Sequence, residues 1–301
     1  MSYKIITGAN NAYILTLLNF LSYHVEIGIK TKNIIVYDLG LTEDNLQKVK
    51  NFKNGDIEIK TLTYEQYPEH VNLNTYNGLY CSYAFKPIVI YNVATEYNNI
   101  PIIWLDCACK ITIPILNRMV QTIHLDGFYC PVGNYEKTIE TIELNHPETM
   151  RLIGITKEQH FNELQTRLAC ICGINYNSFN GKTILDDWCK FSLDKTVIMP
   201  DGSSRNNHRQ DQSVLSALMF LHEKKHNIIF EKSTFNISRW NKCDKNADET
   251  NYNKYGLFQR NNNQRLGIIY SNTLEEAIQV YHERKQISQI IFNEHFYVLR
   301  L

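Results

Sequence analysis

The chain has 301 residues, 44% of them hydrophobic, and its 31 basic and 31 acidic side chains cancel to a formal net charge of +0. That length supports a sizeable core in one or two domains, and a neutral chain without a basic run has no field to recruit nucleic acid or an anionic membrane. The first residues lack the basic segment and cleavage site of a secretory signal, and the longest apolar cluster, YILTLLNFL, is too short and polar to span a bilayer, so the expected location is the reducing cytoplasm and the 8 cysteines read as free thiols.

The first half alternates between strand and helix patterns. YKIITG reads as a strand ending at Gly8, and the following segment has Ile14, Leu17, Leu18, Leu21 and Val25 at helical spacing. NIIVYDLG is a second, buried-type strand, and TEDNLQKVKNF a second helix with Thr42 as its cap and acids in its first turn. IEIKTL is a third strand. YAFKPIVIYNVATEY is ambiguous because it is rich in β-branched residues, and it is assigned to a helix with Pro87 in its first turn. IPIIWLD follows as a central strand. Strand–helix–strand alternation argues for a parallel sheet with helices on its faces.

After it come a helix from Pro114, a strand in IHLDGFYC, and a polar stretch to about Lys157. TRLACICGINYNS reads as another buried strand and KTILDDWCKFS as a short helix. QDQSVLSALMFLHEKK is the strongest helix pattern of the second half. Beyond Phe230 the chain reads as irregular, with NKCDKNADETNYNKYG as a mobile loop, then a helix TLEEAIQVYHERK and a strand IIFNEHFYVL. The expected organisation is one domain over residues 1–230 and a C-terminal extension over 231–301 packed on it.

Four stretches can carry chemistry. In ITGANNAY, a small residue at a strand-to-helix turn can receive a phosphate or base, although G-x-G-x-x-G is absent and a plain turn also explains it. Asp38 ends the second strand, where an acid holds a ribose or serves its own loop. Asp106 ends the central strand of IIWLDCACKI, on the side where open α/β sheets bind ligands. A diphosphate bound by a neutral protein needs a cation, and Mg²⁺ and Mn²⁺ prefer carboxylate oxygens. Lastly, HRQDQS gathers His208, Arg209, Asp211 and two amides at a helix start; a cap with a first-turn acid accounts for Asp211 alone. Cys107 with Cys109 and Cys170 with Cys172 are expected to share strand faces; C-x-C is not a usual zinc spacing, and buried thiols are the expected reading.

Taken in order, ITGANN, IVYDLGL, YPEHV, YAFKPIVI, IIWLDCACKI, RLACICGINYNS, DDWCKFS, IMPDGS and HRQDQSVLSAL resemble a family of GT-A-fold, nucleotide-sugar-dependent glycosyltransferase-like domains, similar in turn to the glycogenin-type retaining transferases. The resemblance runs from Ile5 to Leu221, and YDLGL and HRxDQS are its most specific parts. It implies a GT-A fold: α/β, with a Rossmann-like, mixed, mainly parallel sheet flanked by helices. It implies that Thr7, Gly8, Ala9, Asn10 and Asp38 hold uridine, that Lys86 meets the donor's phosphate or sugar, and that Asp106 is the first acid of a D-x-D motif binding Mn²⁺ or Mg²⁺. Gly173 corresponds to a glycine at the donor sugar. Asp211 and Gln212 are the expected catalytic pair, with His208 and Arg209 orienting it.

The sequence departs from that family at Ala108, which replaces the second acid, and no late metal-binding His motif follows Phe230, although SRWNK could supply cations. The resemblance therefore implies transfer of a hexose from a UDP-sugar to a hydroxyl of a glycan or protein, with retention and metal assistance. The alternative is a nucleotide-sugar-binding or structural module that kept the fold and lost transfer.

Overall fold

The computed structural model describes residues 2–52, 56–75, 81–133, 144–235, 238–239, 253–259, 265–271 and 296–300. Two compact units divide the chain, residues 1–244 and 245–301.

The first unit is built on a six-stranded sheet in the order β3-β2-β1-β4-β7-β6. Its strands are β1 (Lys4–Ala9), β2 (Ile34–Asp38), β3 (Glu58–Thr61), β4 (Ile102–Leu105), β6 (Phe128–Tyr129) and β7 (Ile171–Ile174); a short β5 (Cys109–Lys110) lies outside it. β1 to β4 run parallel, β7 is antiparallel to β4, and β6 antiparallel to β7. The expected mixed, mainly parallel sheet flanked by helices is therefore present. β1, β2 and β4 are runs of buried β-branched residues, the composition that a strand covered on both faces requires.

Side chains alternate between two cores, as a period of two dictates. Ile5, Ile34, Val36, Ile103 and Leu105 pack under α1 (Ile14–Glu26) and α4 (Ile113–Asp126), with Leu17, Phe20, Met119 and Ile123. Ile6, Ile35, Tyr37 and Trp104 pack under α3 (Phe85–Glu96), α7 (Phe179–Ser192) and α9 (Gln210–His226), with Val89, Trp188 and Leu215. α2 (Glu43–Lys50), α5 (Pro147–Ile153), α6 (Lys157–Asn162) and α8 (Lys195–Ile198) complete the described helices. α3 is buried on most sides, which is why its sequence shows little helical periodicity.

Several expectations are corrected. The strand expected in IHLDGFYC is mostly helix: α4 continues to Asp126, Gly127 caps it in the left-handed region at φ 78°, and only Phe128–Tyr129 are strand. The polar stretch before Lys157 contains α5. Cys107 and Cys109 do not share a strand face, because Asp106–Cys109 is a turn closed by Cys109 N–H donating to Asp106 O at 2.8 Å. Cys170 precedes β7 and joins the core under α4, while Cys172 joins the opposite one. These four thiols are buried, and burial pushes that of Cys172 well above its ordinary range.

Near residue 238 the first unit adds β8 (Ser238–Arg239), antiparallel to β5. The second unit holds a three-stranded antiparallel sheet in the order β10-β9-β11: β9 (Asn253–Gln259), β10 (Arg265–Ser271) and β11 (Phe296–Arg300). Asn253–Gly256, expected within a loop, is therefore strand. Residues 241–252 and the helix expected over 273–285 lie outside the described residues.

Candidate functional site

The strand order reverses direction between β1 and β4. β2 and β3 extend the sheet on one side of β1, and β4, β7 and β6 on the other. At such a switch point the loops after adjacent parallel strands diverge and leave a crevice at the carboxyl edge. Asn10 follows β1 and Asp106 follows β4, so both stand at this edge.

Lys86 reaches the same edge from the first turn of α3. The chain enters that helix through Tyr83, whose φ of 53° is unusual for a residue with a side chain. Ser82 Oγ accepts from Ala84 N–H at 3.1 Å and donates to His70 O, fixing the entry. The Lys86 ammonium, only 5% exposed, lies 3.3 Å from Asp106 Oδ1 and 3.0 Å from Asp211 Oδ2. The contact with Asp211 is an ion pair by distance, without good hydrogen-bond alignment. The ammonium also sits 5.6 Å from the Tyr83 ring centroid and 5.8 Å from that of Trp104.

The electrostatics follow from burial and sign. Burial opposes the Lys86 charge, but Asp106 and Asp211 outweigh it and hold Lys86 protonated above its ordinary range. Burial pushes the Asp211 carboxyl up to about 6, against the pull of Lys86. One ammonium is thus shared between two carboxyl groups. A diphosphate entering the cluster needs a further positive charge.

Asp106 is held by its neighbours. Its backbone N–H donates to Cys170 O at 2.9 Å, and its Oδ1 accepts from Trp104 Nε1 at 2.8 Å. Asp211 lies in the first turn of α9, where Trp188 Nε1 donates to its carbonyl at 3.1 Å. Three more side-chain nitrogens of this helix start, Arg209 Nε, Gln210 Nε2 and Gln212 Nε2, are buried without a partner among the described residues.

The β1 turn is laced to the β2 loop. Gly8 is needed for close approach: a Cβ there would stand 2.9 Å from Leu39 Cδ1 and 3.2 Å from Tyr37 O. Ala9 O accepts from Leu39 N–H at 3.0 Å, and Asn10 Nδ2 donates to Asn74 Oδ1 at 3.2 Å. Asn10 does not cap α1; a single 3-10 turn over Asn11–Tyr13 intervenes. Thr7 Oγ1 and Asn10 Oδ1 are buried without a partner among the described residues. Asp38 turns its Oδ1 into its own loop, accepting from Gly40 N–H at 2.9 Å and Leu41 N–H at 2.7 Å.

Two of the expected residues lie apart from this cluster. Gly173 is in mid-sheet, paired with Ile103 and Tyr129, and a Cβ there would meet Ile123 Cδ1 at 2.2 Å. In this structure its small size admits α4 to the sheet. His208 is fully buried, with Nε2 3.0 Å from Ile198 O and Nδ1 accepting from His146 N–H at 3.2 Å. Burial lowers it to about 4, so it is a neutral pin between α8, the segment before α5, and α9. Sequence reasoning missed Trp104, Tyr83, Asn74 and Arg205, whose Nη2 donates to Tyr83 OH. Nothing in their spacing marks them; Trp104 reaches the site from β4, and Tyr83, Asn74 and Arg205 from loops.

A divalent cation can be tested against the donors present. Asp106 offers a hard carboxylate oxygen at the crevice, Ala108 offers none, and no group of three His, Cys, Asp or Glu suited to a metal occurs among the described residues. The described residues alone make no cage. A cation shared between one carboxylate and a bound diphosphate is the usual arrangement for Mg²⁺ in nucleotide sites, and the carboxyl groups of the cluster fit it.

No protein-family model matches the chain, and no curated protein matches it. Among solved structures, it is similar to the galactosyltransferase LgtC in complex with donor and acceptor sugar analogues, at 17% identity and a TM-score of 0.42, covering 71% of this chain and 70% of that one. It is similar to the mannosyltransferase Ktr4p from S. cerevisiae in complex with GDP, at 12% identity and a TM-score of 0.40, covering 72% and 66%. The bifunctional glycosyltransferase WbbM matches at 9% identity and a TM-score of 0.46, over 72% of this chain and 37% of that one. No described helix is long and apolar enough to cross a membrane.

Proposed function

We propose that the chain is a glycosyltransferase that moves a hexose from a nucleotide-sugar, with UDP as its nucleotide, to a hydroxyl of a glycan or protein, with retention of configuration. The observation that supports it is the Lys86–Asp106–Asp211 cluster at the carboxyl edge of the switch point, with Lys86 and Asp211 buried and with unpartnered buried nitrogens on Gln210 and Gln212, which flank Asp211 in the chain. That combination suits a ligand with a diphosphate at one end and hydroxyls at the other.

In this reading Thr7, Gly8, Ala9, Asn10 and Asp38 line the nucleoside end. Asp106 would hold a divalent cation, which would supply positive charge for the diphosphate leaving group. Lys86 supplies a fixed positive charge beside the same group, aimed in advance by its two carboxylates, and preorganised charge of this kind lowers the barrier. Asp211 and Gln212 face the anomeric carbon, where an oxocarbenium-like charge develops and a carboxylate stabilises it. The acceptor oxygen forms the new bond, and its proton passes to the departing diphosphate. Arg209 holds the helix start, and His208 acts only by fixing the loop before it.

A second reading, a module that binds nucleotide-sugars without transferring them, is favoured by Ala108 and by the engagement of the Asp38 carboxylate with its own loop. A thermal-shift screen of UDP-, GDP- and other nucleotide-sugars with and without Mn²⁺, followed by product analysis, separates the two. Binding with turnover supports the first, and binding without turnover the second. Stabilisation by none of them contradicts both.

A further inference from the structure

Gln210 stands between Arg209 and Asp211 at the start of α9 and is only 3% exposed. Its amide nitrogen has no partner among the described residues. Buried amide donors are nearly always paired, because an unmet one loses its hydration for nothing. Its φ of 42° is also left-handed, a conformation that a residue with a Cβ disfavours. Asn227, at φ 50°, closes the far end of the same helix as an ordinary left-handed cap. No such cap explains Gln210, which opens a helix. The residues on either side of it are tied down: Arg209 N–H donates to Ser213 Oγ at 3.1 Å, and Ser213 Oγ donates to Leu144 O at 3.0 Å.

We propose that Gln210 is a specificity-determining residue of the crevice, donating its side-chain amide to one hydroxyl of the sugar carried by the nucleotide. The proposal rests on the glycosyltransferase reading and adds a residue to it. The neighbouring Asp211 is the carboxylate paired with Lys86, so the phosphate end of a ligand is matched by the cation and the amide is left for a neutral oxygen. An amide built to meet a hydroxyl discriminates strongly, because a sugar lacking that hydroxyl leaves the amide unpaired in the complex.

The test compares the wild type with Gln210→Met, which keeps size and removes the donor, and Gln210→Gly, which also relieves the left-handed backbone. Thermal unfolding, UDP binding and kcat/KM are measured for each, using UDP- and GDP-hexoses and the monodeoxy analogues of the preferred one. Both variants should melt at or above the wild type and bind UDP equally well. Their kcat/KM for the preferred sugar should fall about 10- to 100-fold. For one deoxy analogue it should hardly change, so that the preference for that hydroxyl drops at least about tenfold. An unchanged preference in Gln210→Met overturns the proposal. So does a lowered melting temperature with every sugar reduced by one factor, the mark of a structural role. A folded wild type that binds and turns over no nucleotide-sugar contradicts the glycosyltransferase reading itself, and this proposal with it.

Discussion

Lys86 Nζ lies 3.0 Å from Asp211 Oδ2, although the two residues open different helices, α3 and α9, far apart in sequence. Both side chains are almost fully buried. Breaking one half of a buried pair leaves an uncompensated charge, which costs about 3–5 kcal/mol. Lys86→Met should lose that much in urea unfolding. Lys86→Met combined with Asp211→Leu should recover most of it, since apolar replacement of a whole buried pair is often neutral. A double variant as unstable as the single one would show that the pair is not the reason.

The raised Asp211 carboxyl gives a pH dependence with a defined sign. Its value rises from 3.8 to about 6 on folding, so the unfolded chain gives up this proton first. The stabilising contribution is complete below pH 3.8 and is lost as the pH climbs through 6. The stability of the wild type minus that of Asp211→Asn should therefore fall between pH 4 and 6, by roughly 1–3 kcal/mol, and level off above. With Asp211 in the role proposed above, activity should rise over the same window and drop about 10²–10³-fold in Asp211→Asn with the fold retained. A flat stability difference across that range would contradict the burial argument.

His24 and His208 act in the opposite direction. Burial lowers both from 6.5 to about 4, so the neutral form is kept in the fold and the unfolded chain takes up protons first. Their stabilisation is full above pH 6.5 and is lost as the pH falls toward 4. Each should remove roughly 2 kcal/mol between pH 6.5 and 5, more than Asp211 returns over that range. Denaturant unfolding at both pH values checks this, and His208→Asn should flatten the loss while lowering stability at pH 7.

Gly40 and Gly28 offer a matched comparison. Both have left-handed backbones, at φ 119° and 101°, but a Cβ at Gly40 would stand 2.6 Å from Asn74 Nδ2, whereas nothing lies within 4 Å at Gly28. Gly28→Ala should cost only the conformational strain, about 1–2 kcal/mol. Gly40→Ala should cost more, because Asn74 must leave its bonds to Leu39 O and Asn10. It should also weaken nucleotide binding, which calorimetry reads directly; equal effects at the two glycines would contradict the link between Asn74 and the crevice.

The strands that position the site were legible because burial on both faces writes long apolar runs, as in IIVYD and IIWL. Asp106 and Asp211 could each be picked out as an acid at an element end, and Lys86 only through the family resemblance, but their mutual contact could not, since it depends on how α3 and α9 meet the sheet edge. Gly173 was expected at the donor sugar through the family resemblance alone; in the structure a Cβ there would meet Ile123 Cδ1 at 2.2 Å, a packing contact that the residue string does not reveal. His208 sits beside Asp211 in sequence, yet it contacts Ile198 O and His146 N–H while Asp211 pairs with Lys86. Backbone φ is invisible in a residue string unless glycine marks it, and Tyr83 and Gln210 are not glycines. β9 was missed for another reason: NKYGLFQ begins with polar residues and contains a glycine, so neither strand alternation nor an apolar run stands out.

The claim that the Lys86–Asp106–Asp211 crevice is a nucleotide-sugar site is tested most directly by calorimetric titration of UDP and UDP-hexoses, with and without Mn²⁺, into the wild type and Asp106→Asn. The account predicts saturable binding to the wild type that strengthens with Mn²⁺ and weakens at least about tenfold, the value of one charge-assisted contact, in Asp106→Asn. A folded wild type that binds neither ligand with Mn²⁺ present, or binding indifferent to Asp106, would contradict it.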